Sequence, residues 1–220
     1  MSEVMGSKKE IRRGCARVVS IVDYGVGNIA SLINMFDFIG VNSRVVSSYA
    51  SLVEAECLIL PGVGAFDTAM AELNRRCLID ALGEAVLGRR VPVLGICLGM
   101  QILGYSSEEG RERGLSLIDA RAVRLRPPPK SDLRVPHVGW ADVTVKRPSP
   151  VFPTVNSLER FYFVHSYALE CSDSIVAGTI DFGQEVCCAV AKDNIFGVQF
   201  HPEKSHRFGM RLLKDFVLNA

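Results

Sequence analysis

A cysteine in the stretch VPVLGICLGMQ, residues 91–101, stands where a short apolar strand ends and a helical pattern begins. The apolar run before Cys97 is typical of a buried central strand. Gly95 and Gly99 allow a sharp backbone turn and the close approach of a substrate. Amides at the start of a helix favour an anionic sulfur. The pattern predicts a nucleophile elbow with Cys97 as the nucleophile, and a buried, unreactive thiol is the alternative unless a base lies elsewhere.

A candidate base follows another apolar strand, residues 194–200, which leads into His201-Pro202-Glu203. Residues two apart in an extended segment point the same way, and Pro202 favours extended backbone before it. His201 and Glu203 are therefore predicted to lie side by side. An imidazole that is oriented by a carboxylate can take a proton from a thiol and return it to a leaving group. The other histidines lack a nearby acidic residue and are predicted to be structural or to line a pocket: His137, His165 and His206.

The overall composition excludes several classes of function. The chain has 220 residues, of which 48% are hydrophobic, enough for a full core. Its formal net charge of +1 gives no electrostatic reason to expect binding to nucleic acid or to an anionic membrane. No apolar run approaches the roughly 20 residues of a membrane span. The seven cysteines are odd in number and contain no C-x-x-C pair, which predicts reduced thiols in a cytoplasm and no metal site.

Strand and helix patterns alternate three times before Cys97. Strands are predicted at residues 17–22, 41–47 and 57–60, the last ended by a proline, and helices at 29–39, 67–73 and 78–87. This alternation is typical of a parallel, doubly wound sheet. Beyond residue 105 helix signals become sparse, and a last helix is predicted at 208–218. Short strands are predicted there at 121–125, 142–146, 161–164, 175–180 and 186–191.

These patterns predict one α/β domain over residues 17–220. It has a mostly parallel central sheet flanked by helices, with additional, partly antiparallel strands. Residues 1–16 are predicted to be a disordered extension. Two glycine-rich turns, DYGVGN at 23–28 and PGVGAF at 61–66, follow predicted strands. The first is a weak signal for a nucleotide site, and the second either presents an N–H to an oxyanion or forms a plain turn.

The same stretches carry a family resemblance. GICLGMQ and the distant HPE resemble the class I glutamine amidotransferases of the triad type. With them, DYGVGN, PGVGAF, SSEEG, PHVGW, YFVHSY and GVQFHPEKS follow an order that resembles the glutaminase subunits of imidazole glycerol phosphate synthases, over residues 17–218. The resemblance implies a flavodoxin-like fold and hydrolysis of L-glutamine to glutamate and ammonia, without a cofactor or metal.

The resemblance also implies roles for individual residues. Cys97 is the implied nucleophile, His201 the general base and acid, and Glu203 its orienter. The implied oxyanion hole consists of the N–H of Leu98 and an N–H of the Gly62–Gly64 loop, at Val63 or Gly64. Four residues are implied to hold glutamine, with Glu109 near its ammonium group: Gln101, Glu109, Ser166 and Tyr167. Four others are implied to lie toward a partner: Asn28, Trp140, Tyr162 and Lys204.

The implied partner is a (β/α)₈ cyclase that uses the ammonia to make imidazole glycerol phosphate and AICAR in histidine biosynthesis. The sequence shows no phosphate motif or second site for an acceptor, which also predicts that the ammonia is consumed on a partner. Val26, Gly104-Tyr105 and Ala141 depart from the resemblance and leave open a related protein that serves a different synthase. Further alternatives are a stand-alone cysteine hydrolase of γ-glutamyl substrates and an inactive binding subunit.

Overall fold

A nine-stranded sheet runs through the part of the chain that the computed structural model describes, residues 17–155 and 159–220. Five neighbouring strands are parallel to one another. In their spatial order these are β2 (Ser43–Val46), β1 (Val19–Val22), β3 (Cys57–Gly62), β4 (Val93–Cys97) and β12 (Ile195–Val198). The carboxyl ends of β3, β4 and β12 therefore meet at one edge of the sheet, where open α/β sheets bind their ligands.

The other half of the sheet is antiparallel and continues from β12. Its strands, in spatial order, are β11 (Glu185–Lys192), β10 (Val176–Asp181), β7 (His137–Val145) and β8 (Glu159–His165). A separate three-stranded sheet lies beside it and consists of β5 (Ser106–Ser107), β6 (Ala120–Arg124) and β9 (Tyr167–Cys171). Only Ser166 separates β8 from β9, so the chain passes directly from the large sheet into the small one.

Helices cover both faces of the parallel half. They are α1 (Ile29–Ile39), α2 (Tyr49–Val53), α3 (Phe66–Arg75), α4 (Ile79–Gly83), α5 (Leu98–Gln101) and α6 (His206–Asn219). A π-helical turn, Glu84–Gly88, continues α4, and a 3₁₀ turn, Pro202–Lys204, precedes α6. In the described residues no helix is long and apolar enough to cross a membrane.

The core is divided by the sheet because strand side chains alternate between its faces. Ile59 and Leu94 pack in one cluster together with Phe36 of α1 and Leu213 of α6. Their neighbours Leu58 and Val93 belong to a second cluster, which contains residues of α3 and α4 such as Leu73 and Leu82. Strands β1, β3, β4 and β12 are buried along their whole length. This two-sided burial explains why they read as continuous apolar runs.

The predicted fold class is confirmed, with several local corrections. Pro61 does not end the third strand, because β1 pairs with β3 only as far as Ile59 and leaves Pro61 no hydrogen bond to lose on that side. The predicted 78–87 helix turns π-helical after Gly83, and SSEEG is partly the short strand β5. Strand β9 was not predicted, since it follows β8 with no turn signal between them. The predicted extension, residues 1–16, lies outside the described residues.

Gly99 brings α5 into backbone contact with β3. A Cβ on Gly99 would lie 1.8 Å from the carbonyl oxygen of Leu60, whereas a Cβ on Gly83 would meet nothing within 4 Å. We expect Gly99→Ala to lower the free energy of unfolding by at least about 2 kcal/mol, because β3 and α5 must separate. Gly83→Ala is the matched control and should raise it by up to about 1 kcal/mol, since alanine favours helix. Urea unfolding followed by circular dichroism measures both, and equal stabilities of the two variants would contradict this packing.

Candidate active site

Cys97 occupies the junction between β4 and α5 in an unusual backbone conformation. Its φ is 55° and its ψ is −110°, a positive-φ conformation that residues with a side chain rarely adopt. Close packing holds the turn in place. Gly95 lies so near the carbonyl of Gly99 that a Cβ on Gly95 would be 2.6 Å from the carbonyl oxygen. Such strain persists only where the surroundings enforce it, and it aims the sulfur out of the sheet edge. The predicted elbow is therefore present, although α5 is a single turn.

The structure brings Cys97, His201 and Glu203 together. His201 Nδ1 lies 2.9 Å from Glu203 Oε1, and both side chains are almost fully buried. The imidazole of His201 and the thiol of Cys97 line the same cavity, and Cys97 is one of the groups that raise the pKa of His201. Since Nδ1 is bonded to the carboxylate, Nε2 is the nitrogen available to exchange a proton with the sulfur. The predicted nucleophile, base and orienting carboxylate are therefore grouped at one site, as a catalytic triad requires, and their roles remain predictions.

The extended backbone predicted to place His201 beside Glu203 is wrong. His201 itself is extended, but Pro202–Lys204 is a 3₁₀ turn and not a continuation of the strand. The turn brings Glu203 back toward the ring. Ser205 fixes it, because its hydroxyl donates to the carbonyl of His201 at 2.6 Å and accepts from the amide of Tyr162 at 3.0 Å. A Cβ on Gly209 of α6 would lie 1.8 Å from the carbonyl oxygen of Pro202, so helix and turn are also in backbone contact.

The surroundings of His201 favour its protonated form. Burial alone lowers the pKa of His201, but interactions with Cys97 and Glu203 outweigh burial and raise that pKa to about 9. The second carboxylate oxygen, Glu203 Oε2, is buried and has no hydrogen-bond partner in the described residues. Among the described residues, the Glu203 carboxylate therefore forms its side-chain hydrogen bond with the imidazole of His201 and with no competing group. At neutral pH this arrangement holds a proton on His201 beside the sulfur.

A cavity of about 370 Å³ opens over the sulfur, a size that suits a small ligand. Most of the predicted site residues line it. From the triad and the predicted oxyanion hole these are Cys97, His201, Leu98, Val63 and Gly64. All four predicted glutamine-binding residues also line it: Gln101, Glu109, Ser166 and Tyr167. Among the described residues, no group of three or more His, Cys, Asp or Glu side chains could hold a metal ion.

Two polar side chains of the cavity, Gln101 and Glu109, are each held by hydrogen bonds to other parts of the protein. Gln101 Nε2 donates to the carbonyl oxygen of Tyr167 at 3.3 Å and to Gln199 Oε1 at 3.0 Å. Glu109 Oε2 accepts from the amide of Phe66 at 2.8 Å, the first residue of α3. Among the described residues, the amide oxygen of Gln101 and the other carboxylate oxygen of Glu109 accept no hydrogen bond and are available to a ligand. A carboxylate and an amide oxygen on the same wall suit an ammonium group.

The predicted partner-facing residues lie around this cavity on the same edge. Lys204 lines the cavity, and Trp140 of β7 is 40% exposed with its ring 6.0 Å from that of Tyr162 on β8. Asn28 accepts from the hydroxyl of Ser31 at 2.9 Å at the start of α1, a helix that packs against the 3₁₀ turn carrying Lys204. The structure thus groups these residues, and their role toward a partner remains a prediction.

Sequence reasoning missed Gln199, which contacts the nucleophile directly. Its side chain is fully buried, and its Nε2 lies 3.6 Å from Cys97 Sγ. The signal was present, because Gln199 precedes His201 by two residues and extended backbone puts both on one side. His165 was predicted to be structural or pocket-lining, and it does line the cavity. Pro136 and Val164 line it as well and carried no signal in the sequence.

Comparison with known proteins agrees with this geometry. The family model described as "Glutamine amidotransferase class-I" matches residues 20–220. The chain belongs to the class-I glutamine amidotransferase family. The predicted family and enzyme class, a glutamine amidotransferase, are therefore confirmed. The cysteine elbow and the distant histidine–glutamate pair are the parts of this chain that carried the prediction.

Two relatives are similar to this amidotransferase over nearly their whole length. Imidazole glycerol phosphate synthase subunit HisH 2 of Pseudomonas aeruginosa is 47% identical over 201 residues, which cover 91% of this chain and 98% of that protein. The protein of the same name in Methanococcus maripaludis is 43% identical over 204 residues, covering 92% of this chain and 100% of the relative. The resemblance to these glutaminase subunits is confirmed.

Solved structures of lower identity share the fold of this amidotransferase. The structure of PurLQS from Thermotoga maritima matches with a TM-score of 0.70 at 19% identity, covering 91% of this chain and 97% of that one. A crystal structure of another glutamine amidotransferase matches with a TM-score of 0.68 at 17% identity, covering 89% of this chain and 98% of the other. At this identity the matches establish the architecture alone.

His165, one of the two histidines that line the cavity, makes the stability depend on pH. Burial lowers the pKa of His165 from 6.5 to about 4, although a hydrogen bond with the carbonyl of Tyr167 opposes this. In the unfolded chain His165 therefore binds a proton below about pH 6.5, whereas in the folded chain it does so only below about pH 4. Stability should fall across that interval, by up to about 3 kcal/mol from this group. Urea unfolding at pH 4 to 7 should show a shallower loss in His165→Gln, and the exposed His206→Gln serves as the control. Parallel curves for His165→Gln and the unchanged protein would contradict it.

Proposed function

We propose that this chain is the glutaminase subunit of an imidazole glycerol phosphate synthase. It would hydrolyse L-glutamine and pass ammonia to a cyclase subunit in histidine biosynthesis. The observation that carries the proposal is that Cys97 and His201 line one cavity whose wall offers amide and carboxylate groups, with Glu203 bonded to His201 behind it. The near full-length similarity to the HisH subunits supports this particular synthase over a related one. The six cysteines of the described residues are all free, which suits the cytoplasm.

The geometry supports a two-step reaction that begins with the sulfur anion. We take the sulfur of Cys97 to react as a thiolate, beside a His201 whose raised pKa of about 9 keeps it protonated at neutral pH. The sulfur attacks the side-chain amide carbon of glutamine and pushes the carbonyl electrons onto oxygen. The imidazolium then donates its proton to the amide nitrogen as the carbon–nitrogen bond breaks. Ammonia leaves, a glutamyl thioester remains on Cys97, and His201 is neutral.

The second step returns the site to its starting state. Neutral His201 takes a proton from water, and the resulting hydroxide attacks the thioester carbon. The carbon–sulfur bond breaks, glutamate leaves and the thiolate and imidazolium are restored. Glu203 stabilises the imidazolium at both ends of the cycle, since its Oε1 bonds Nδ1 and its Oε2 has no competing partner among the described residues. The amide of Leu98 and the loop at Val63 and Gly64 are proposed to stabilise the oxyanion, each such donor contributing roughly 3–4 kcal/mol.

The substrate is proposed to lie with its amide at Cys97 and its charged end along the opposite wall. Glu109 presents one free carboxylate oxygen for the ammonium group, because its other oxygen is held by the start of α3. Gln101 presents its amide oxygen beside it. The segment at Ser166 and Tyr167, between β8 and β9, supplies backbone groups for the carboxylate. This pose leaves the leaving nitrogen beside His201.

Cys97→Ser provides the direct test of this proposal. We expect it to lower glutamine-dependent synthesis by at least about a thousandfold, because a hydroxyl does not form the anion that the site is built to hold. Synthesis from added ammonium salt by the complex with the cyclase should be unchanged, since the acceptor chemistry lies on the partner. Cys77→Ser, at an exposed free thiol, is the matched control. Undiminished glutamine use by Cys97→Ser would point to an inactive binding subunit, and turnover of γ-glutamyl peptides but not of glutamine would point to a stand-alone hydrolase.

A partner is proposed to dock on the edge that carries the cavity. Val138 and Trp140 of β7 are 56% and 40% exposed, and Val164 pairs with Val138 across the ladder to β8. These exposed apolar side chains lie beside the cavity, of which Val164 forms part of the wall. Exposed apolar groups beside a site mark a surface for another molecule. Docking there would cover the cavity and keep released ammonia from being protonated in water.

Trp140→Ala tests the proposed docking surface. Large aromatic side chains contribute strongly to interfaces, so we expect at least tenfold weaker binding to the (β/α)₈ cyclase, measured by titration calorimetry. Leu87→Ala is the matched control, because Leu87 is also an exposed apolar residue but precedes β4 at the opposite edge of the sheet. Equal affinity of both variants would exclude this face. The folded state of each variant is checked by its unfolding temperature.

A further inference from the structure

A chain of side-chain amides joins the glutamine-binding wall to the nucleophile. The carbonyl oxygen of Tyr167 accepts from Gln101 Nε2, which also donates to Gln199 Oε1 at 3.0 Å. Gln199 Nε2 in turn lies 3.6 Å from Cys97 Sγ. Gln199 has no exposed surface, and its backbone amide is held by the carbonyl of Cys188 at 2.9 Å. A fully buried side-chain amide in contact with the proposed nucleophile is a candidate for a role in the reaction.

The orientation of both amides follows from the chain itself. A backbone carbonyl can only accept a hydrogen bond, so the Gln101 group beside Tyr167 must be its NH₂. The second hydrogen of that NH₂ points at Gln199, so the group of Gln199 that accepts it must be the amide oxygen. The NH₂ of Gln199 therefore faces the sulfur. A rotated Gln199 amide would oppose two NH₂ groups, a buried arrangement that costs free energy.

Among the described residues, Cys97 Sγ has hydrogen-bond contacts with Val164 and Gln199, and His201 lines the same cavity. The carbonyl of Val164, 3.9 Å away, can only accept from a thiol. Gln199 Nε2 and the imidazole of His201 can both donate to a thiolate. Hydrogen bonds to an anion are stronger than those to a neutral group, so the two donors favour the thiolate. His201 gives up its proton to the leaving ammonia, whereas the amide of Gln199 cannot lose its own.

We infer that Gln199 is a further catalytic residue, whose amide donates to Cys97 Sγ and keeps the sulfur anionic, held in orientation by Gln101. The inference rests on the proposed function, because it takes Cys97 as the nucleophile. Gln199 matters most when His201 is neutral, in the thioester step. Until His201 takes a proton from water, the amide of Gln199 is the donor that remains beside the sulfur, and it is in place when the sulfur leaves as an anion.

The test measures the sulfur anion without substrate. Iodoacetamide is added across pH 5 to 10, the anion displaces iodide, and the rate is followed on the tryptic peptide of residues 91–111, whose only cysteine is Cys97. Gln199→Met removes the donor at similar length. We expect the midpoint of its rate profile to rise by about one pH unit, which is a tenfold slower alkylation below the midpoint. Gln199→Glu keeps an oxygen for Gln101 but turns a carboxylate toward the sulfur, and its midpoint should rise further.

Controls separate a chemical role from a structural one. Gln184→Met removes a glutamine whose Nε2 donates to the carbonyl of Arg126 outside the cavity, and its profile should match the unchanged protein. If Gln199→Met does not fold, Gln199→Glu carries the test, because it preserves the bond to Gln101. A lowered unfolding temperature with an unmoved midpoint in the variants that fold would mean that Gln199 only packs, and would overturn the inference. Cys97→Ser, assayed alongside, shows separately whether the proposed nucleophile itself is wrong.

Discussion

The backbone contact between α5 and β3 is the constraint on which the site depends. Gly99 has no side chain, so its Cα reaches the carbonyl of Leu60, and Gly62 of β3 approaches the amide of Gly99 in the same way. This contact forces the chain to turn within one residue at Cys97, which takes up the positive φ. The loop that follows Gly62 is thereby placed beside the sulfur. The positions of the predicted nucleophile and of the predicted oxyanion donors therefore both depend on glycines, whose lack of a side chain permits this contact.

Charge placement in the site follows from burial combined with specific partners. His201 is buried, which by itself would leave it neutral, yet Cys97 and Glu203 raise its pKa to about 9. His165 is buried nearby without an acidic partner, and its pKa falls to about 4. Two histidines at one cavity therefore carry opposite protonation states at neutral pH. The difference lies in Glu203 and Cys97, which raise the pKa of His201 and not that of His165.

The sequence predicted the fold class, and it pointed to the three candidate triad residues that the structure groups, because both rest on local patterns. Apolar runs mark the two-sided strands, and glycines around Cys97 mark the elbow. The 3₁₀ turn at Pro202–Lys204 was not predictable, since it is imposed by Ser205 and by the packing of Gly209 from α6. Gln199 carried a local signal two residues before His201, but its bond to Gln101 joins distant segments and could not be predicted. Strand order likewise depends on contacts between distant segments, which no local pattern records.

The place of β12 in the sheet has a consequence for synthesis of the chain. This strand is made late in the sequence, yet it inserts in the middle of the sheet, between β4 and β11. While the nascent chain is still short of β12, the edge of β4 has no neighbour on that side and the sulfur has no imidazole beside it. A truncated chain released early from the ribosome therefore has no working site. Glutamine is spared from futile breakdown until this strand and the histidine that follows it have been made.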